Sequence, residues 1–217
     1  YPPTGPSRFF IFDRKIFNST ISHSLTTMKV AIVTVGPRGA GKTFYCQEVA
    51  RRHPAVKLVS RDEILIKMFG KTSLSPYEGG HNAACGAMWG QIAQLTERHQ
   101  ENLLLILDCW NGYSEERQDI IRRLKRLGFE CIEAWYFVTN VELCVKAWIE
   151  REKAKEYPSS MAEISCRHDY RLYHGMTDDL FREPADEFDF MQLNRPRFDR
   201  VRLIDGGQLL LPEIPIL

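Results

Sequence analysis

The feature that most constrains this chain is a glycine-rich octapeptide between an apolar run and a helical pattern. The octapeptide occupies positions 36–43, where the chain reads Gly-Pro-Arg-Gly-Ala-Gly-Lys-Thr. It fits the phosphate-binding pattern GxxxxGK[ST] at every fixed position. Glycines allow successive backbone N–H groups to converge on phosphate oxygens, and the start of a helix adds partial positive charge. The octapeptide therefore predicts a strand, a phosphate-binding loop and a helix, in that order.

Strand and helix patterns alternate along the rest of the chain. Strands are predicted at residues 28–35, 56–59, 103–107, 131–138 and 201–204, and helices at residues 42–52, 83–98, 115–127 and 141–153. Ser114 is the expected N-cap of the third of these helices. Such alternation indicates a parallel sheet with helices on both faces. We predict an α/β fold of the P-loop NTPase class, a three-layer sandwich with a central parallel sheet of about five strands and a helical lid.

Composition narrows the class of protein without indicating a partner. The 217 residues carry a net charge of +1 and are 44% apolar, which is typical of a globular domain and gives no global field that would attract nucleic acid or a membrane. The six cysteines are scattered and form no close pair, so we expect reduced thiols in an intracellular protein. Since no apolar run is long enough to span a bilayer, we expect a soluble, cytoplasmic chain without a membrane partner.

The phosphate-binding loop predicts ATP and Mg²⁺ as cofactors. Lys42 is placed to reach the β- and γ-phosphates, and the Thr43 hydroxyl is a ligand for magnesium. The rest of the cofactor-binding loop is expected to consist of Gly36, Arg38, Gly39, Ala40 and Gly41.

An aspartate follows the most apolar stretch of the chain, residues 103–107. A carboxylate at the carboxyl end of a buried parallel strand points into the crevice where open α/β sheets bind ligands. Beside a phosphate-binding loop, Asp108 can hold Mg²⁺, directly or through water, or can orient the acceptor. The alternative is that Asp108 only caps the following turn.

An Arg-Asp pair follows the second predicted strand. Because that strand also ends beside the loop, Asp62 can face the γ-phosphate and accept the proton of an attacking hydroxyl. Arg61 can bind a phosphate of the acceptor in a bidentate manner. The alternative is that both residues open the next helix as an ordinary capping pair.

The motifs GPRGAGKT, SRDE at 60–63 and LLLILD at 103–108 together resemble the polynucleotide 5′-hydroxyl kinase family. The resemblance implies that Asp62 is the general base with Arg61 as its companion, and that Asp108 helps to place the acceptor. It also implies that Arg151 is a lid arginine that acts in catalysis on the donor phosphates. The alternative for Arg151 is a solvated, charged helix end.

The resemblance implies ATP-dependent phosphorylation of a 5′-hydroxyl end of DNA or RNA, and a further repair or end-processing domain outside this chain. One departure concerns the acceptor: the family's phosphate-binding arginine three residues after the catalytic aspartate is Leu65 here. A kinase for a small hydroxyl-bearing metabolite or antibiotic would use the same Lys42, Thr43 and Asp62. A non-catalytic nucleotide-binding module is a third reading, which the complete set of donor and acceptor residues disfavours.

Two groups of residues bear on the choice of acceptor. Trp110 and Tyr113 can either stack an acceptor base or pack against the sheet edge. The candidate contacts to acceptor phosphates are Arg61, Lys67, Lys71 and Arg117.

Residues 1–27 are rich in Pro, Ser, Thr and Phe and show no sustained period. We interpret them as an N-terminal extension or a remnant that does not belong to the domain, with Met28 as the natural start. The alternative is that their phenylalanines cover an exposed surface. The P-loop kinase domain is then expected to occupy residues 28–217.

Overall fold

Strands and helices alternate along the part of the chain that the computed structural model describes, residues 28–72, 74, 79–153, 160–175 and 198–205. The strands are β1 (Lys29–Val35), β2 (Val56–Ser60), β3 (Leu103–Asp108), β4 (Cys131–Phe137) and β5 (Arg200–Ile204). The helices are α1 (Lys42–Arg52), α2 (Arg61–Phe69), α3 (Gly80–Arg98), α4 (Ser114–Arg126), α5 (Val141–Lys153) and α6 (Ala162–Gly175). The expected extension at residues 1–27 lies outside the described residues.

The five strands form one sheet in the order β2-β3-β1-β4-β5. Each neighbouring pair is parallel, and the register joins Ile32 of β1 to Ile106 of β3 and to Glu133 of β4. All five carboxyl ends therefore lie at one edge of the sheet, with the phosphate-binding loop after the central strand. The predicted α/β fold with a parallel sheet is confirmed.

Helices cover both faces of the sheet because alternate strand residues point to opposite sides. On one face, Val33 and Leu105 lie in a buried cluster with Ile92 of α3 and Ile121 of α4. On the other face, Ile32 and Ile106 are in a second cluster, to which α1, α5 and α6 contribute Cys46, Val145 and Cys166. The result is the three-layer sandwich expected from the sequence.

Helix α6 was not predicted, α2 is the helix that the alternative interpretation of Arg61 and Asp62 assumed, and one cap is placed differently. Helix α2 begins directly after β2, with the Ser60 hydroxyl accepting a hydrogen bond from Glu63 N at 3.4 Å. In α6 a charged residue, Asp169, occupies a buried position, so an apolar period does not reveal the helix. Ser114 is the first residue of α4 rather than its N-cap, which is Tyr113. The predicted position of that cap is therefore wrong by one residue.

Two glycines of the phosphate-binding loop, Gly36 and Gly39, are required by close packing. Gly39 has a φ of +76°, and a Cβ there would lie 2.1 Å from the carbonyl oxygen of Cys144 in α5. A Cβ on Gly36 would lie 2.9 Å from Cβ of Phe137, at the end of β4. The loop is therefore held against β4 and α5, and larger residues at these positions would displace it.

All six cysteines are free thiols, and four of them are buried. Burial raises the pKa of Cys109 to about 12, so this thiol stays protonated at neutral pH. Within the described residues, no helix combines the length and apolar character that crossing a bilayer requires.

The sheet offers a matched pair of substitutions for testing this core. Leu105 in β3 is fully buried, whereas Leu203 in the edge strand β5 is 59% exposed. We expect Leu105→Ala to lower the free energy of unfolding by about 2–5 kcal/mol because it leaves a cavity. Leu203→Ala should change it by about 0.5 kcal/mol or less. Urea denaturation measures both values, and equal effects would contradict the sheet order and burial described here.

Candidate active site

A buried aspartate joins three elements at the carboxyl edge of the sheet. Asp108, the last residue of β3, accepts a hydrogen bond from Thr34 Oγ1 of β1 at 2.9 Å through Oδ1. Its other oxygen, Oδ2, accepts one from Thr43 Oγ1 of α1 at 2.7 Å. The residue is 6% exposed. Both oxygens therefore hold hydroxyl groups, and one of these belongs to the phosphate-binding loop.

The Lys42 ammonium lies folded over the loop that precedes it. Nζ donates hydrogen bonds to the carbonyl oxygens of Gly36 at 2.7 Å and Pro37 at 2.8 Å. Burial lowers the pKa of Lys42, and the carboxylates of Asp108, Asp169 and Asp62 oppose that shift. These three carboxylates favour the charged form of Lys42 and offset part of the cost of burying its ammonium group.

The predicted acceptor pair lies in the first turn of α2, next to Asp108. Ser60, which precedes the pair, is the register partner of Asp108 across β2 and β3. Arg61 Nη2 lies 3.5 Å from Asp62 Oδ1, and the two side chains are 20% and 38% exposed. The structure therefore brings Asp62, Asp108 and Lys42 together at one edge, with Asp62 open to solvent.

Helix α6 contacts both sides of the phosphate-binding region. At its middle, Asp169 Oδ2 accepts a 2.5 Å hydrogen bond from Arg38 Nε of the loop. Near its end, the Tyr173 hydroxyl accepts a 3.1 Å hydrogen bond from the backbone N of Asn111, which follows β3. The Tyr173 ring centroid is 6.0 Å from Lys42 Nζ. Asp169 and Tyr173 are four residues apart, so they lie on one face of α6. This face of α6 is the one that lies over Lys42.

Sequence reasoning missed Asp169 and Tyr173. The signal that could have found them is the four-residue spacing of Asp169 and Tyr173, which places both on one face once a helix is assumed. Thr34 was also missed, because a threonine within an apolar strand carries no distinctive pattern.

Two arginines pack on one tryptophan beside the loop. The guanidinium carbon of Arg38 is 5.0 Å from the ring centroid of Trp148, and that of Arg151 is 5.4 Å away. Arg151 is exposed, and its described contact is with Trp148. Its predicted role at the donor phosphates stays a prediction. The segment 154–159, where a lid would continue after α5, lies outside the described residues.

Of the four candidate phosphate contacts, the structure excludes one. Arg117 is 1% exposed, and its Nη1 donates to the carbonyl oxygens of Asn111 at 2.9 Å and Gly112 at 3.1 Å. It supports the turn after β3 from inside and is not available to a nucleic acid. Arg61 is partly exposed, while Lys67 and Lys71 are exposed.

The donor set fits ATP with Mg²⁺. Among the described residues there is no group of three His, Cys, Asp or Glu side chains that could hold a metal ion alone. Mg²⁺ does not need one, since it prefers a few protein oxygens together with water and substrate phosphates. Thr43 Oγ1 and the Asp108 carboxylate are such oxygens, 2.7 Å apart. Thr43 lies in the first turn of α1, and backbone N–H groups at a helix start are suited to bind phosphate.

Comparison with solved structures places the fold among known proteins at low sequence identity. A chain of the Pnkp1/Rnl/Hen1 RNA repair complex superposes with a TM-score of 0.60 and 18% identity, over 75% of this chain and 49% of that one. A fungal RNA kinase gives a TM-score of 0.53 and 16% identity, over 83% of this chain and 39% of that one. The PezAT toxin–antitoxin system of Streptococcus pneumoniae gives 0.54 and 16%, over 89% and 74%.

These values show a shared fold, and the chain spans only about half the length of the RNA repair protein that it matches. A comparison with curated proteins found no significant sequence match. Residues 32–167 match the family model AAA_33, described as an AAA domain. Because this match extends from β1 into α6 and includes more than half of the 217 residues, the chain belongs to the AAA_33 family and has the α/β fold of a P-loop kinase.

Proposed function

We propose that this protein is an ATP-dependent phosphotransferase that moves the γ-phosphoryl group of ATP onto the 5′-hydroxyl of a DNA or RNA end. One observation carries the proposal: Asp62, at 38% side-chain exposure, opens from the same sheet edge as Lys42 and the buried Thr43–Asp108 pair. A donor phosphate held by the loop would then face a carboxylate that is accessible to an acceptor. The kinase domain occupies residues 28–217 in this proposal.

On the donor side, Lys42 leaves the loop carbonyls and binds the β- and γ-phosphates. Thr43 and Asp108 hold Mg²⁺, which when bound neutralises charge on the phosphates. Asp108 also fixes the Thr43 hydroxyl by the 2.7 Å hydrogen bond, so both groups that would hold Mg²⁺ are oriented by each other. The remaining loop residues, Gly36 and Arg38 to Gly41, wrap the phosphates with backbone N–H groups.

On the acceptor side, Asp62 accepts the proton of the attacking 5′-hydroxyl as the new O–P bond forms. Arg61 stays close enough to orient the carboxylate and to meet an acceptor phosphate, while Asp108 limits where the acceptor can approach. Arg151 approaches the donor phosphates from the end of α5, and Trp148 holds its guanidinium on the side of the loop. Its positive charge then offsets the charge that moves to the leaving group.

A nucleic-acid acceptor is supported by the fold relatives, one of which belongs to an RNA repair complex and another of which is an RNA kinase. Nucleic acid repair, with a further end-processing domain outside this chain, is the setting that these relatives suggest. The alternative is a kinase for a small hydroxyl-bearing metabolite or antibiotic, since the donor residues would be the same. The two candidates differ in how the acceptor is held, and therefore in the response to salt.

Lys42→Ala is expected to abolish phosphoryl transfer, because it removes the cation that offsets charge on the β- and γ-phosphates. The matched control is Lys57→Ala, since Lys57 lies near the amino end of β2, at the opposite edge of the sheet. Transfer from radiolabelled ATP to a 5′-hydroxyl oligonucleotide measures both. Near wild-type turnover of Lys42→Ala at saturating ATP would contradict the assignment of the donor site.

Asp62→Asn is expected to lower kcat by about 10²–10⁴-fold, because the amide keeps the shape but cannot accept a proton. The dissociation constant for ATP should not change. Glu63→Gln is the control, since Glu63 is the neighbouring carboxylate and its oxygen accepts a hydrogen bond from Gln47 of α1. A comparable loss of ATP affinity in Asp62→Asn would instead assign Asp62 to the metal.

The KM for a 5′-hydroxyl oligonucleotide is expected to rise with salt, because each phosphate contact releases counterions from the strand. In Arg61→Ala, the slope of log KM against log salt should fall by about 0.7, the contribution of one contact to a single strand. The KM for ATP in the same variant is the internal control. A flat wild-type series, with a small alcohol phosphorylated instead, would favour the small-molecule kinase.

A further inference from the structure

Helices α3 and α4 lie side by side on one face of the sheet and end at the same edge. Ile92 of α3 and Ile121 of α4 are in one buried cluster. The carbonyl oxygen of Thr96, in the last turns of α3, accepts a 3.2 Å hydrogen bond from Lys29 Nζ at the start of β1. Helix α4 follows β3 and leads into β4, so it runs from the carboxyl edge to the amino edge. The outer side of residues 80–98 and 114–126, the α3–α4 surface, therefore extends from the proposed site to the opposite edge.

The second half of α4 is basic and has no acidic residue. Its exposed basic residues are Arg122, Arg123, Lys125 and Arg126. Arg123 pairs with Asp119 at 2.7 Å, and Lys125 pairs with Asp199 at 2.9 Å. Arg122 and Arg126 make no ion pair with a carboxylate in the part of the chain that the structure describes, and they are one helical turn apart. Two uncompensated positive charges thus lie on the same side of α4.

Arg123 joins this basic surface to α3 through an aromatic ring. Its guanidinium carbon is 5.3 Å from the ring centroid of Trp89, which is partly buried against the core cluster of this face. Such a cation–π contact holds the guanidinium in place. Nucleic acids are commonly bound by this combination, since arginine binds phosphate oxygens and an aromatic ring can stack a base.

The exposed side of α3 is small and uncharged over most of its length. Residues 80–96 contain no Asp, Glu, Lys or Arg. Four of its exposed residues, spaced by one helical turn, are Asn82, Gly86, Gly90 and Gln94. A Cβ on Gly86 or Gly90 would meet nothing within 4 Å, so packing within the chain does not require glycine at either position. Glycine destabilises a helix interior relative to alanine, but it lets the backbone of a ligand approach closely.

Charge favours a polyanion as the partner of this surface. The acidic residues of α4 all lie in its first half, so a strand that reaches Arg122 and Arg126 from the proposed site passes over the uncharged side of α3. A single strand gains free energy there by releasing its counterions. A second copy bound through the same surface by a two-fold axis would instead bring two basic patches into one interface, where like charges repel.

We propose that the α3–α4 surface binds the strand that follows the reacting end of a single-stranded nucleic acid, with Arg122 and Arg126 on its phosphates and the Arg123–Trp89 pair beside its bases. This inference rests on the proposed function and deepens it, since it makes the acceptor a polynucleotide rather than a mononucleotide. Arg122 and Arg126 are about 12 and 18 Å along α4 from Ser114, at about 1.5 Å per residue. With phosphates about 3.4 Å apart, these contacts begin about four nucleotides from the reacting end.

The main test compares a 5′-hydroxyl dinucleotide with a 5′-hydroxyl oligonucleotide of about ten nucleotides, which is long enough to reach both arginines. For the wild-type protein, the KM for the longer acceptor should be lower by about tenfold or more. The double variant Arg122→Glu/Arg126→Glu should lose most of this difference and keep its KM for the dinucleotide and for ATP. The control is Arg51→Glu/Arg52→Glu, because this basic pair lies in the last turn of α1, on the opposite face of the sheet.

Salt dependence is a readout that a merely structural defect would not change. In Arg122→Ala/Arg126→Ala, the slope of log KM against log salt for the longer acceptor should fall by about 1.4, twice the 0.7 of one phosphate contact to a single strand. The slope for the dinucleotide should stay the same. Thermal melting checks that each variant is folded.

The side of α3 is tested with a matched pair at one glycine. Gly86→Glu and Gly86→Gln add side chains of nearly equal size into open space, and only the first adds charge. We expect Gly86→Glu to raise the KM for the longer acceptor clearly more than Gly86→Gln does, because the carboxylate repels the phosphates of the strand. Equal effects would contradict a path over α3.

The outcomes separate this inference from the function on which it rests. If the wild-type protein phosphorylates both acceptors with equal KM, or the glutamate variant raises both KM values alike, the inference is wrong and the proposed function stands. If a small alcohol is phosphorylated and neither oligonucleotide is, both are overturned. If light scattering shows a dimer that Arg122→Glu/Arg126→Glu dissociates without changing the KM of either acceptor, the surface binds a second copy and the inference is wrong.

Discussion

The arrangement of the site depends on one buried carboxylate. Asp108 accepts hydrogen bonds from Thr34 of the central strand and Thr43 of the first helix, so it fixes the loop between them against the neighbouring strand β3. A buried carboxylate that lost these donors would carry a penalty of several kcal/mol, because nothing would replace its hydration. The same oxygens are those that a magnesium ion would use. Asp108 therefore contributes both to the stability of the loop and to the proposed binding of magnesium.

The position of that carboxylate follows from the sheet order. Because β3 lies between β1 and β2, its last residue is beside the phosphate-binding loop on one side and the Arg61–Asp62 pair on the other. Helix α6 completes the site through Asp169 and Tyr173, which reach the loop and the turn after β3. The end of β3, the first turn of α2 and the face of α6 thus lie around Lys42. Asp108 lies between the proposed donor and acceptor sides.

Much of this could be predicted from the sequence, because the signals were local. Apolar runs predicted each strand limit to within one residue of the limit observed, and α1 and α5 have the predicted limits. The octapeptide at 36–43 and the aspartates at 62 and 108 lie at one edge of the sheet, and their roles stay predictions. Other positions could not be predicted: α6 has a buried aspartate where a period analysis expects an apolar residue, and Arg117 is buried although its charge suggested a surface role. Asp169 is compensated by Arg38, which is 131 positions away, and Arg117 by carbonyl oxygens of the turn that precedes its own helix, and no pattern of residue types shows either contact.

By itself, the sequence determined the class of fold and the position of the glycine-rich loop, since a strand, such a loop and a helix are defined by neighbours along the chain. The tertiary structure decided which side chains share a surface. Arg38 pairs with Asp169 across 131 positions, and Asn111 bonds Thr34 across 77. Such contacts depend on strand order and helix packing, which no local pattern encodes. The position of Asp169 and Tyr173 over Lys42, and the conformation of the turn after β3, are therefore properties of the folded chain alone.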